Sequence, residues 1–265
     1  MVSSHDPMMP PAGTSAAGVA AEDPTSPSGL LLTVALTMRL VLFAVFQAIV
    51  AVVLFAGGVP EPWSASAAWW PLTATATSVV TFVFLRWRAR VEGFSLTAFY
   101  RPVRPGVAKD VLLALAVAFV GGGIAVGASI LLAPIFFTEP TTANGLLIQP
   151  LPTWAAVLAV ALFPVSVALT ELPLYFGYAQ RRLGARTGSA AAAVLVPAVF
   201  LSLQHATLPL IFDLPFIGWR ASMFLGFALV LAWSLWKRPR LMPYLIVVHF
   251  LLDLQAAISI LQISG

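Results

Sequence analysis

From about residue 30 onward, long apolar runs alternate with short polar or basic connectors. An α-helix rises ~1.5 Å per residue, so about 20 apolar residues cross roughly 30 Å of hydrocarbon. Runs near 30–56, 66–86, 107–137, 154–179, 189–209, 219–236 and 242–263 meet that requirement. The third is long and contains VGGGIAVG at 120–127, which allows a break into two shorter helices. The pattern predicts an all-α, polytopic transmembrane bundle of about 7–8 helices. Residues 1–29 are rich in Pro, Ser, Ala and Gly without an apolar core, and read as a disordered tail. Beyond it the chain divides into N-terminal transmembrane helices (30–137) and a second helical group (138–265), with no internal repeat or soluble domain visible.

Composition strengthens the membrane reading. The chain is 60% hydrophobic and 9% charged, against roughly 45–50% and about 25% in soluble domains. A net charge of +4 and a pI near 10.0 could suit nucleic acid. The basic residues, however, stand in small groups beside the apolar runs, the arrangement that orients a protein in a bilayer. With the N-terminus cytoplasmic, all of the 14 basic residues except Arg39 and Arg220 fall on inner connections. The outer loop 138–153 carries none. The stretch 91–105 mixes aromatics with arginines and is expected along the inner interface. A multi-pass cell-membrane protein with the lipid bilayer as its environment, and no nucleic-acid partner, is the expectation. The absence of cysteine excludes disulfides, thiolate zinc sites and a cysteine nucleophile, so any metal site must use His and carboxylate. Trp69, Trp70, Trp87, Trp219, Trp233 and Trp236 fall near predicted helix boundaries and read as interfacial or lipid-facing.

Among the acidic residues only Glu171 and Asp253 fall within apolar spans, as do His205 and His249 among the histidines. An ionisable group at a bilayer centre costs roughly 2.5–3.5 kcal/mol on insertion scales, so such groups face the bundle interior and one another. Asp253 follows His249 by four positions, which puts both on one helical face, where the carboxylate can fix the imidazole tautomer. Glu171, shielded from bulk water, suits a general base, and His205 suits holding the water or polarising a carbonyl. Tyr175 and Tyr178 share the face of Glu171 and are expected as its hydroxyl partners. Arg39 is read as a packing or snorkelling residue. A purely structural reading stays open beside this one: His249 with Asp253 as a self-satisfied pair tying helices together, and Glu171 as a proton-relay carboxylate.

The order of these residues resembles the CPBP intramembrane proteases, the CAAX protease and bacteriocin-processing family. ELPLYFGY (171–178) is similar to its first motif at Glu171 and Gly177, LSLQH (201–205) to its second at His205, and HFLLD (249–253) to its third at His249 and Asp253. Leu201 stands where that family has Phe. Leu172 and Phe176 stand where it has a second Glu and an Arg. Those positions are four apart on one face, so in that family they can form an ion pair; both are apolar here, the outcome expected if a buried pair is replaced whole, which strands no charge. The resemblance implies a CAAX-protease-like core at 138–265 and an intramembrane endopeptidase with Glu171, His205, His249 and Asp253 as catalytic residues. A membrane-associated peptide or protein would be the substrate. If the family chemistry is metal-dependent, Glu171, His205 and His249 would hold a divalent ion such as zinc; a metal-free glutamate mechanism fits the same residues. The alternative is a non-catalytic member that binds a protein or lipid in the same cavity as scaffold or regulator. A proton-coupled transporter ranks below both, since no inverted repeat is visible.

One count disagrees with a shared site. At ~1.5 Å per residue from the inner charges, Glu171 lies roughly 15 Å deep and His249 about 12–14 Å, but His205, counted from Ser189, lies roughly 24 Å deep. A helix beginning nearer Ala193 would bring His205 to about 18 Å, and Pro197 would allow a bend.

Overall fold

A computed structural model describes residues 29–139 and 141–264. The tail assigned to 1–29 lies outside the described residues, except Gly29, which opens the first helix. The described residues form helices and connectors with no strand, and seven segments are long and apolar enough to span a bilayer. In chain order the helices are α1 (Gly29–Ala56), α2 (Pro62–Ser66), α3 (Trp70–Glu92), α4 (Val107–Phe136), α5 (Thr141–Leu147), α6 (Thr153–Ala168), α7 (Gln180–Thr187), α8 (Ala190–Gln204), α9 (Leu214–Met223), α10 (Leu225–Lys237) and α11 (Met242–Ile263). The spans are α1, α2 with α3, α4, α6 through α7, α8 with a following 3₁₀ turn, α9 with α10, and α11 with its leading turn. All seven expected spans are present.

The local sequence sets the boundaries. α3 starts at Trp70–Pro71, where proline's missing N–H costs nothing, and ends at Gly93 with φ 69°, the left-handed stop that glycine adopts without strain. Asp213 caps α9, accepting from Phe216 N at 2.7 Å. Ser189 caps α8, accepting from Ala192 N at 3.2 Å. α8 therefore begins at Ala190, not nearer Ala193.

α6 packs along α11 and α3, α8 along α10, and α1 against α3 and α8. α4 is peripheral, touching α9, α10 and α11, with Phe119 85% exposed on its outer side. The glycine run does not break it. α4 continues from Val107 to Phe136 because Gly121 admits the Phe227 ring, where an added methyl would lie 2.7 Å from that ring. Two neighbouring knobs repeat the device, Ile124 over Gly226 and Phe136 over Gly218.

One end of the bundle gathers the inner connections. Glu92 at the foot of α3 pairs with Arg88 at 2.6 Å and with Arg182 of α7, and Asp110 of α4 pairs with Arg240 before α11. Two tryptophans expected at the surface are buried instead, Trp70 and Trp219. Each indole N–H finds an internal carbonyl, Leu147 O at 3.0 Å and Ser129 O at 3.2 Å, so the ring's apolar body gains more from packing than from the interface. Trp87 and Trp233 are exposed, as expected.

Candidate functional site

The span from Thr153 to Thr187 is not a uniform α-helix. α6 ends at Ala168, a turn covers 169–170, and residues Pro173–Ala179 are π-helical. The cause is in the sequence: Pro173 has no N–H to give to Leu169 O, four residues earlier. That carbonyl accepts instead from the Tyr100 hydroxyl at 2.8 Å. π-turns widen a helix and recur at functional sites; here the irregular stretch presents Glu171. Glu171 is set by this irregular segment, and Gln204 at the end of α8 reaches it.

Glu171 is 3% exposed and points into the bundle. Its Oε2 accepts from Gln204 Nε2 at 2.7 Å and from Arg39 Nη2 at 3.1 Å. Its Oε1 lies 3.5 Å from His249 Nε2. The same nitrogen lies 3.2 Å from Asp253 Oδ2, so the imidazole stands between two carboxylates. Neither contact has full hydrogen-bond geometry. His249 Nδ1 and Asp253 Oδ2 are buried without a hydrogen-bond partner among the described residues. Beside His249 is a narrow recess lined by Leu172, Phe227, Leu231, Leu245 and Val248.

His205 stands in the 3₁₀ turn that ends α8. Its Nδ1 is 2.8 Å from Leu201 O. A carbonyl can only accept, so Nδ1 carries a proton, and in the neutral ring Nε2 keeps its lone pair. The ring lies over Phe224 at 4.0 Å between centroids, and the residue before it in the chain, Gln204, bonds to Glu171.

Of the expected residues, Glu171, His249 and Asp253 come together and His205 borders them. Tyr175 reaches the group through Gln204 Oε1 at 3.2 Å. Tyr178 does not: its hydroxyl donates to Glu92 Oε1 at 2.7 Å and so belongs to the inner charge cluster. On the α-helical count Tyr178 shared a face with Glu171, and the π-turns rotate it away. Leu172 and Phe176, each 1% exposed, pack within the apolar core, so no orphaned charge remains where an ion pair is replaced.

Arg39 corrects the expectation most. It neither snorkels nor merely packs: it is 0% exposed, and it donates to Gln204, Ser78 and Thr170 besides Glu171. Arg220, expected at the outer side, is also buried; it donates to His205 O at 3.3 Å and Leu208 O at 3.0 Å, holding the turn that carries His205. Gln204 was missed because a neutral amide in a span carries no charge alarm; its position next to His205 was the available signal.

As a metal set, Glu171, His205 and His249 fit poorly. Among the described residues no three His, Asp or Glu side chains are disposed to hold one ion. Glu171 Oε2 already takes two N–H donors, one from a guanidinium whose charge would repel a cation.

A family model described as type II CAAX prenyl endopeptidase Rce1-like matches residues 152–255. No curated protein and no solved structure matches the chain. The matched segment runs from the start of α6 into α11 and holds Glu171, His205, His249 and Asp253, whereas Arg39 lies outside it. Over residues 152–255 this multi-pass membrane chain is similar to the type II CAAX prenyl endopeptidases, within the CPBP, or CAAX protease, group.

Proposed function

We propose that the protein is an intramembrane endopeptidase in which Glu171 activates a water for attack on a peptide carbonyl. The observation that carries the reading is Glu171 Oε1 facing His249, with Asp253 behind it, inside a lipid-spanning bundle. Glu171 Oε1 takes a proton from the water as its oxygen bonds to the carbonyl carbon. His205, with Nε2 as acceptor, holds the water's other proton. His249 Nε2–H donates to the oxygen that becomes negative, a role worth most where bulk water is excluded. Collapse of the tetrahedral intermediate breaks the C–N bond, and the proton on Glu171 passes to the leaving amine. The buried, unpartnered His249 Nδ1 and Asp253 Oδ2 support a site with hydrogen-bonding capacity reserved for substrate. The substrate in this reading is a membrane-associated peptide or protein entering from the cytoplasmic half, and no step is routed through a metal.

The test is cleavage of a fluorogenic farnesylated CAAX peptide by the protein in nanodiscs. Glu171→Gln is expected to keep its elution profile and melting temperature while kcat falls by about 10²- to 10⁴-fold, the usual range for a general base. Retained activity would remove Glu171 from the mechanism. The ion pair of Glu171 with Arg39 favours one rival, a non-catalytic member using this polar interior as a scaffold. That rival predicts no cleavage by the parent protein and full complementation of a deletion strain by Glu171→Gln.

A further inference from the structure

We propose that Arg39 and Gln204 are positioning residues that clamp one oxygen of Glu171, so that the other is the only one free to act as base. The proposal makes α1, outside the family match, part of the working site, and it rests on the endopeptidase reading above.

The hydrogen bonds point one way. Gln204 Oε1 accepts from Arg39 Nε at 2.9 Å and from Tyr175 hydroxyl at 3.2 Å. Two donors on one oxygen fix the amide's orientation, so its NH₂ is turned to Glu171 Oε2. The guanidinium is itself immobilised: Nη1 contacts Ser78 Oγ and Thr170 Oγ1, both at 3.3 Å, and the plane lies 5.1 Å from the Phe43 ring centroid. Phe43 comes from α1, Ser78 from α3, Thr170 from the turn before Glu171, and Gln204 from α8, so four elements hold the clamp. Arg39 and Gln204 are both 0% exposed. In such a place the rotation of a carboxylate is set by its donors rather than by solvent. With Oε2 bound twice, Oε1 is left beside His249.

The rival explanation is charge balance alone, in which any cation at position 39 would serve and Gln204 would be incidental. Arg39→Lys keeps the charge and loses the fork. Gln204→Met keeps the length and loses the donor. On the same farnesylated peptide in nanodiscs, the clamp predicts that each variant lowers kcat at least tenfold with KM within about twofold. The double variant should fall little further, because both residues act on one oxygen. Wild-type kcat in both, with Glu171→Gln inactive, overturns the clamp and leaves the endopeptidase reading standing. Activity retained in Glu171→Gln overturns both. If Arg39→Lys does not fold, Gln204→Met decides the question. Separately, Arg39→Met should be rescued in melting temperature by adding Glu171→Gln, since removing a buried pair whole strands no charge. Absence of that rescue would deny the pairing itself.

Discussion

His249 sits where its ring can serve either of two carboxylates, and the division of labour between them follows from burial. Glu171 is enclosed and accepts two hydrogen bonds, whereas Asp253, 18% exposed in its side chain, pairs with His249 among the described residues. On the proposed mechanism Asp253 would orient the imidazole without taking the water's proton. Asp253→Ala is expected to lower kcat about tenfold, well short of the loss in Glu171→Gln, because the ring keeps its other carboxylate. Equal losses in the two variants, measured on the same peptide, would assign Asp253 a direct chemical role. The primary structure exposed these residues because ionisable groups are conspicuous in apolar spans. Arg39 was equally conspicuous but misread, since a long cation can reach the interface from within a helix and nothing local shows that it does not. Gln204 was silent because amides carry no charge. Tyr178 was misplaced because its direction depends on π-turns that a helical count does not contain.

The irregular stretch after α6 depends on a segment between spans. Phe99 lies on Gly177, where an added methyl would come within 2.9 Å of its ring, and Tyr100 satisfies the carbonyl that Pro173 cannot. Burial pushes the Tyr100 phenol up to about 12 from its ordinary 10.0, so it remains a donor at working pH. A raised folded pKa means the contribution is whole below about pH 10 and is lost as pH climbs toward 12. Tyr100→Phe leaves the buried acceptor unpaired, at a cost of roughly 1–3 kcal/mol. A lower melting temperature at pH 8, with the deficit shrinking near pH 12, is the expected result; no change at pH 8 would show that Leu169 O is satisfied otherwise. The existence of the seven spans followed from hydropathy. The unbroken α4 did not, because a glycine run reads alike whether it weakens a helix or receives a neighbour's side chain, and only Phe227 decides.

Charge sorting predicts a direction for the bundle. The basic connectors gather at the end holding the Glu92–Arg182 and Asp110–Arg240 pairs, and that end is expected in the cytoplasm. The chain lacks cysteine, so single reporters can be introduced cleanly. Gly145→Cys should react with a membrane-impermeant maleimide in sealed right-side-out vesicles, and Arg104→Cys only after permeabilisation. The reverse labelling would invert the topology and move the site's opening to the other side.

The reach of Arg39 bears on how the protein is made. It stands 132 positions before Glu171, so α1 enters the bilayer long before the carboxylate that neutralises it is synthesised. Until then the newborn hairpin carries a lone guanidinium worth roughly 2.5–3.5 kcal/mol against insertion. On that cost α1 is expected to shelter beside water, a lipid phosphate or an insertase until α6 and α8 arrive, so that closing the polar interior and finishing membrane integration coincide.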